Sequence, residues 1–353
     1  MWIIGCDLHT RYQQVAAMNK ETGELVELRL EHAGDVVRLF YAALPKGSVV
    51  GIESIGYTQW FERLLTELGH ELWIGDAAEI RAASVRHQKT DIRDARLILQ
   101  LLSVQNFPRL WLPSAEDRDA RRLLWHRVKT VQMRTMARNQ LHALALNQGL
   151  RRGSGLWSQR GQRELAQLPL GHFSSEMRQD LMELTKTLDA RIELLNRKVA
   201  EQAEQRPGSR FLMQQPGVGP MTALGFVLTI GPVTRFHRSR QVVSYLGLNP
   251  REYSSGGRQK LGKISKQGNT LMRWLLIEAA QTAARLDPQL HRFYLRLKHR
   301  RGARVAKVAV ARKLAVRLYW MLRRLEAEGQ AQRVGPQGSP STIMARAVTP
   351  PNS

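Results

Sequence analysis

Asp7 interrupts an apolar run, Trp2-Ile3-Ile4-Gly5-Cys6-Asp7-Leu8-His9, that reads as a buried strand. A carboxylate in such a place is costly unless a cation or hydrogen bonds offset its charge. Glu53 repeats the anomaly, ending the run Val49-Val50-Gly51-Ile52. Two more acids, Asp91 and Asp94, lie in Lys89-Thr90-Asp91-Ile92-Arg93-Asp94-Ala95-Arg96, where Thr90 is a natural N-cap and the i, i+3 spacing puts both on one helix face. They could simply favour the positive end of that helix. Taken together, the four acids are oxygen ligands suited to hard cations such as Mg2+, and a pair of ions about 4 Å apart stabilises the attacking and leaving oxygens of a phosphoryl transfer.

A second constellation lies far downstream. Tyr253-Ser254-Ser255-Gly256-Gly257-Arg258-Gln259-Lys260 is a flexible serine loop crowded by Arg251, Arg258, Lys260, Lys263 and Lys266. The cations suit a phosphate backbone, and Gly256 and Gly257 permit close approach. Two readings stand: a mobile basic loop whose serines donate hydrogen bonds to phosphates, or a serine nucleophile activated by a positive, metal-proximal setting. Pro216-Gly217-Val218-Gly219 is likewise open, since Gly217 and Gly219 suit either backbone amides aimed at a phosphate, as in helix-hairpin-helix units, or a plain interhelical turn.

Strand and helix signals alternate in the first hundred residues. Strands are predicted over Trp2–His9, Tyr12–Met18 and Glu24–Leu30 as an antiparallel meander, then a helix over Asp35–Leu44, a strand Val49–Ser54, a helix Thr58–Leu68, a strand Glu71–Gly75, and helices near Ala77–Val85 and Asp91–Leu102. This is an α/β layered domain. It sets one acid on the first strand, one on the fourth and two on the helix after the fifth, an arrangement similar to that of ribonuclease-H-like nucleases holding two divalent ions. After Pro108 and Pro113 the chain reads as long, charged segments free of strands, and from Arg206 onward the pattern becomes compact again. Met177, Leu181, Leu184, Leu188, Ile192, Leu195 and Val199 recur at steps of three and four, the seam of a coiled coil or long bundle helix; Leu124, Val128, Val131, Leu141 and Leu144 are a weaker version upstream. The two stretches, separated by Gly149–Trp157 and a turn at 168–171, form either an antiparallel pair within one chain or a dimerising arm. Helices are expected over Asn269–Arg285 and Val305–Glu326, and a disordered tail after them.

Charge divides the chain the same way. The 353 residues carry a formal net charge of +24, with 54 Lys+Arg against 30 Asp+Glu. Residues 1–103 hold 11 Lys+Arg and 14 Asp+Glu, a balance of −3, which leaves +27 for the remainder. Binding of a polyanion belongs to the second part, while the first spends its carboxylates elsewhere. One cysteine, Cys6, excludes an internal disulfide, reads as a buried strand residue and fits a reducing compartment. No signal peptide and no apolar run of membrane-spanning length is apparent, so a soluble, intracellular protein is expected. The eight tryptophans read as core or helix-interface residues or as stacking partners for RNA bases.

The chain resembles the DEDD insertion-sequence transposases, family 110. The resemblance rests on Ile4-Gly5-Cys6-Asp7, Gly51-Ile52-Glu53-Ser54, Lys89–Arg96, Pro216–Gly219, and Gly247-Leu248-Asn249-Pro250 through Ser255-Gly256. It implies a ribonuclease-H-like (RuvC-like) domain over 1–105, a helical coiled-coil arm over 106–205, a mostly α transposase domain with a helix-hairpin-helix-like turn over 206–328, and a tail over 329–353. It implies metal ligands at Asp7, Glu53, Asp91 and Asp94 for Mg2+, with Mn2+ as a substitute, and a nucleophile at Ser255, with Ser254 its neighbour. It further implies a composite site shared by the two domains, a covalent DNA link, donor and target DNA, a structured guide RNA, and a homodimer or tetramer. A hydrolytic nuclease or junction resolvase using the four acids and water is the alternative.

Overall fold

The computed structural model describes residues 1–84, 90–253, 258 and 260–333. They form two compact units, Met1–Leu112 and the chain from Pro113 onward.

The first unit holds β1 (Trp2–Leu8), β2 (Tyr12–Asn19), β3 (Leu25–Glu31), α1 (Val36–Ala42), β4 (Val49–Glu53), α2 (Gln59–Glu67), β5 (Glu71–Gly75), α3 (Ala77–Ala82) and α4 (Asp91–Ser103). The sheet order is β3-β2-β1-β4-β5, with β1 to β3 antiparallel and β4 and β5 parallel to β1. This central mixed sheet is the expected α/β arrangement and agrees with a ribonuclease-H-like domain. Strand alternation explains its two layers. Ile4, Cys6 and Leu8 pack with Val50, Ile52, Tyr41, Phe61 and Leu65 on one face. Ile3, Ala16 and Val49 meet Ala95, Ile98, Leu99 and Leu102 of α4 on the other. Full burial pushes the Cys6 thiol up, so it behaves as a small core residue.

The second unit contains α5 (Ala115–Asn147), a 3-10 turn Gly153–Trp157, α6 (Gln159–Ala166), α7 (His172–Glu204), α8 (Pro207–Leu212), α9 (Pro220–Ile230), a 3-10 turn Val233–Arg235, α10 (Ser239–Tyr245), β6 (Pro250–Glu252), β7 (Leu261–Ile264), α11 (Thr270–Leu286) and α12 (Pro288–Arg333), which breaks at Gly302. Eight of the eleven α9 residues are buried, and a helix apolar all round is surrounded by others. Its core takes in Leu124 and Val128 of α5, Val199 and Ala203 of α7, and residues of α11 and α12. The helices α5 and α7 run antiparallel within the chain: Arg127 donates to Asn196 at 3.0 Å, and Arg134, seven residues on, to Asp189 at 2.7 Å. Leu188, Ile192, Leu195 and Val199 of the heptad-like seam are buried, whereas Met177 and Leu184 are exposed. The β6–β7 hairpin adds two strands to the mostly α region after Arg206, and they carry no sequence signal because each is only three or four residues long. Helix also begins earlier than expected before Gly302, because Asp287 Oδ1 accepts from the amides of Gln289 and Leu290 at 2.9 Å and so caps Pro288 onward. Among the described residues no helix is long and apolar enough to cross a membrane.

Candidate active site

Two glycines let α4 lie against the sheet. A Cβ at Gly5 of β1 would stand 2.1 Å from the carbonyl oxygen of Ala95 and 2.4 Å from the amide nitrogen of Leu99. Gly51, its register partner on β4, faces Leu102 and Ile98 of the same helix. Because side chains on a strand alternate, Asp7 and Glu53, each two residues further along, share that face. The parallel register pairs Cys6 with Ile52, so one residue further brings Asp7 beside Glu53. Docking of α4 delivers its N-terminal acids, Asp91 and Asp94, to the same end.

A donor atom each from Asp7, His9 and Asp91 lies within 4.8 Å of the others, a group able to hold a metal ion. His9 Nε2 is 3.1 Å from Asp7 Oδ2 and 3.7 Å from Asp91 Oδ1. The Tyr12 hydroxyl donates to Asp91 Oδ2 at 2.7 Å, and the Arg29 guanidinium lies 3.6 Å over the Tyr12 ring. Burial pushes the Asp7 carboxyl above its ordinary value; Asp94 and Asp91 add to the rise, and His9 opposes it. A carboxylate made costly by burial and by neighbouring acids is what a divalent cation would stabilise. The donor set fits such an ion, with two hard carboxylates for Mg2+ and an imidazole that Mn2+ tolerates better.

The four predicted acids are not equivalent. Asp7 and Asp91 are in the close group, while Asp94 sits one turn along α4 and acts on Asp7 through its charge. The Glu53 carboxylate lies outside the group, 3.6 Å from Arg81 Nη2 of α3. Thr90 is the N-cap residue of α4, but its side chain makes no capping bond. His9 and Tyr12 were missed by sequence reasoning. The signal for His9 was available, since it follows Asp7 by two residues, just past the end of β1; Tyr12 joins as the first residue of β2, where the His9 amide donates to the Tyr12 carbonyl.

Of the serine loop, which lies between β6 and β7 in the sequence, Ser254, Ser255, Gly256, Gly257 and Gln259 lie outside the described residues. Arg251, Arg258, Lys260, Lys263 and Lys266 are all exposed around it. The base of the hairpin is tightly held. Ser265 Oγ donates to Asn249 Oδ1 at 2.9 Å, and Arg273, only 8% exposed, donates from Nη1 to the carbonyls of Leu246 at 3.1 Å and Gln267 at 2.9 Å. Gly247, with φ +65, allows this crossing, since a Cβ there would overlap the Gln267 carbonyl. Arg273 also escaped sequence reasoning, although a cation inside Leu271-Met272-Arg273-Trp274-Leu275 was a signal of the same kind as Asp7. Gly217 and Gly219 differ: Gly217, with φ +86, is pressed on α11, where a Cβ would lie 2.5 Å from the Ala283 nitrogen, whereas Gly219 faces open space at the N-cap of α9.

Comparison with known proteins matches two separate segments of the chain. A family model described as Transposase IS116/IS110/IS902 family matches residues 209–295, and a DEDD IS110 transposase model matches residues 4–148. A probable family 20 transposase of Pseudomonas aeruginosa is 32% identical over 330 residues, covering 90% of this chain and 96% of the relative. The transposase for insertion sequence element IS1111A of Coxiella burnetii is 29% identical, over 92% of this chain and 90% of its own. That for IS1328 of Yersinia enterocolitica is 28% identical, over 91% and 96%. With the carboxylate-bearing sheet and the serine-bearing hairpin each inside a matched segment, and relatives aligned nearly end to end, the chain belongs to the IS116/IS110/IS902 family of transposases.

Proposed function

We propose that this transposase cuts and rejoins DNA with Ser255 as nucleophile and a Mg2+ site founded on Asp7, and that a structured RNA from its own element selects the donor and target DNA. The convergence of Asp7, His9 and Asp91, with Glu53 on the neighbouring strand, carries this reading. Asp7 and Asp91, with Glu53 and Asp94, would hold the metal, and Glu53 would exchange its contact with Arg81 for the ion. A second ion, or Mn2+ in place of Mg2+, is accommodated by four carboxylates. The bound cation supplies charge neutralisation at the scissile phosphate.

The remaining work falls to the chain. Tyr12 orients Asp91 through its hydroxyl, and His9 bridges the two aspartates. Arg251, Arg258, Lys260, Lys263 and Lys266 hold phosphates around the hairpin tip, and Gly219 offers backbone at a helix start, with Gly217 shaping that turn. Ser255 Oγ loses its proton and forms a bond to phosphorus as the bond to the leaving strand oxygen breaks, and that oxygen takes up a proton. The reverse attack by a strand hydroxyl rejoins DNA and frees the serine, with no hydrolysed end between. The excess of positive charge after residue 103 supports binding of both DNA and RNA. Exposed Phe173, Met177 and Leu184 on α7 support self-association as a dimer or tetramer.

The test is a denaturing gel after incubation with RNA, Mg2+ and cognate DNA. A protein–DNA adduct is expected for the wild type and for Ser254→Ala but not for Ser255→Ala, which should still assemble. Cleavage without adduct in the wild type would establish the hydrolytic, water-based alternative. An adduct lost in Ser254→Ala alone would move the nucleophile by one residue.

A further inference from the structure

A cavity of about 380 Å3 opens beside the α5–α7 pair and is lined by none of the residues placed in the carboxylate cluster or the hairpin. Its floor is α5, where Arg134, Arg138 and His142 follow at i, i+4 and i+8 on one face, with Asn139 alongside. Its wall is the 3-10 turn Gly153–Trp157, which contributes Ser154 and Trp157. Leu156 anchors that turn, fully buried among Leu141, Ala145 and Leu165. Among the described residues no Asp or Glu lines the cavity.

The charge around it is only partly compensated. Asp189 of α7 accepts from Arg134 Nη1 and Arg138 Nη2, each at 2.7 Å, so one carboxylate faces two guanidiniums. Neither Nε has an acceptor among the described residues. The Arg138 guanidinium also lies 4.9 Å over the half-buried Trp157 ring. A tie between two helices needs one arginine; a second, beside an indole and amide and hydroxyl groups, makes an anion site next to an aromatic platform. An indole face takes any base, and a guanidinium fork takes phosphate. Bases within a duplex are covered by their neighbours and cannot lie on Trp157.

We propose that this cavity receives one unpaired nucleotide of a nucleic-acid strand, its base on Trp157, its phosphate on Arg134 and Arg138, and Asn139 and Ser154 within reach of the base edge. The inference needs a nucleic-acid partner but neither the metal nor the serine chemistry. An unpaired loop of RNA and a displaced DNA strand share the chemistry required.

Full-length protein is titrated at fixed salt with a fluorescent RNA hairpin bearing an unpaired loop, with single-stranded DNA, and with a blunt duplex. Trp157→Ala should weaken binding of the loop RNA, the single-stranded DNA or both by roughly 5- to 100-fold, the loss of one stacked base, with duplex affinity unchanged. Trp157→Phe, which keeps the packing of the turn, should retain most of the affinity. Loss confined to the RNA identifies the loop as the source, and loss confined to DNA the displaced strand. Wild-type protein photocrosslinked to 5-iodouracil strands should carry the adduct on Trp157. Unchanged affinity for both unpaired strands in Trp157→Ala, an equal loss on the duplex, or crosslinks that spare Trp157 would overturn the proposal. Because no arm requires cleavage, failure here is separable from failure of the catalytic reading.

Discussion

Gly5→Ala tests whether the contact between β1 and α4 is what brings Asp91 to Asp7. The added methyl would lie 2.1 Å from the Ala95 carbonyl oxygen and 2.4 Å from the Leu99 amide nitrogen, where ordinary contact begins at 3.4 Å. Both obstacles are helix backbone, so no rotamer change relieves them and α4 must retreat by roughly 1 Å, at a cost of about 1–3 kcal/mol for an overpacked core. The retreat carries Asp91 away from Asp7 and His9, and a misplacement of about 1 Å at reacting groups costs on the order of 100-fold in rate. Gly51→Ala is the milder control, since the nearest atom its Cβ would meet is a side-chain end, Leu102 Cδ1 at 2.8 Å, which can turn aside, with Ile98 Cγ2 next at 3.0 Å. DNA strand cleavage in Mg2+ should therefore fall about 100-fold in Gly5→Ala and only a few-fold in Gly51→Ala, with denaturant unfolding reporting the stability of each. Wild-type cleavage together with wild-type stability in Gly5→Ala would refute the reasoning.

Gly217→Ala should destabilise the protein by about 1–3 kcal/mol, since it combines a positive φ with backbone overlap on α11, whereas Gly219→Ala should leave unfolding unchanged. Any loss of DNA binding in Gly219→Ala, read by a gel-shift assay, then reports contact and not misfolding. Arg273→Met should cost about 2–4 kcal/mol by leaving the carbonyls of Leu246 and Gln267 without their shared donor, and should lower recombination more than it lowers DNA binding. Burial alone would raise the Asp287 carboxyl, but the Leu290 amide, Arg317 and the Gln289 amide outweigh it and hold it below its ordinary value. Its contribution is thus complete above about pH 4 and is lost as pH falls through the lowered value, so the gap in stability between wild type and Asp287→Asn should be widest near neutrality and close in acid.

Much of the first unit is legible in the residues. The extents of its central strands follow from short apolar runs, and alternation then sends Ile4, Cys6 and Leu8 to one face and Ile3, Gly5 and Asp7 to the other. The acids stand out for the same reason, because a charge in an apolar run violates the pattern that defines the run. Glu53 shows where this stops: its position on the strand was readable, but its engagement with Arg81 depends on how α3 leaves β5. In the second unit, the short β6 and β7 carry too few residues for alternation to register, and the cap at Asp287 that starts α12 reads locally as any loop acid would.

Composition and spacing by themselves determined the layered α/β domain, the long helical middle, the basic second half and the prominence of Asp7 and Glu53 as acids in apolar runs, because each is a property of neighbours along the chain. Tertiary structure alone decided which of those residues meet. Tyr12 reaches Asp91 across 79 positions, and Asp189 gathers two arginines from the opposite helix. Gly217 is spent on packing against α11 while Gly219 is left open. Such encounters depend on distance in space and on the close approach that a missing Cβ permits, neither of which a linear pattern contains.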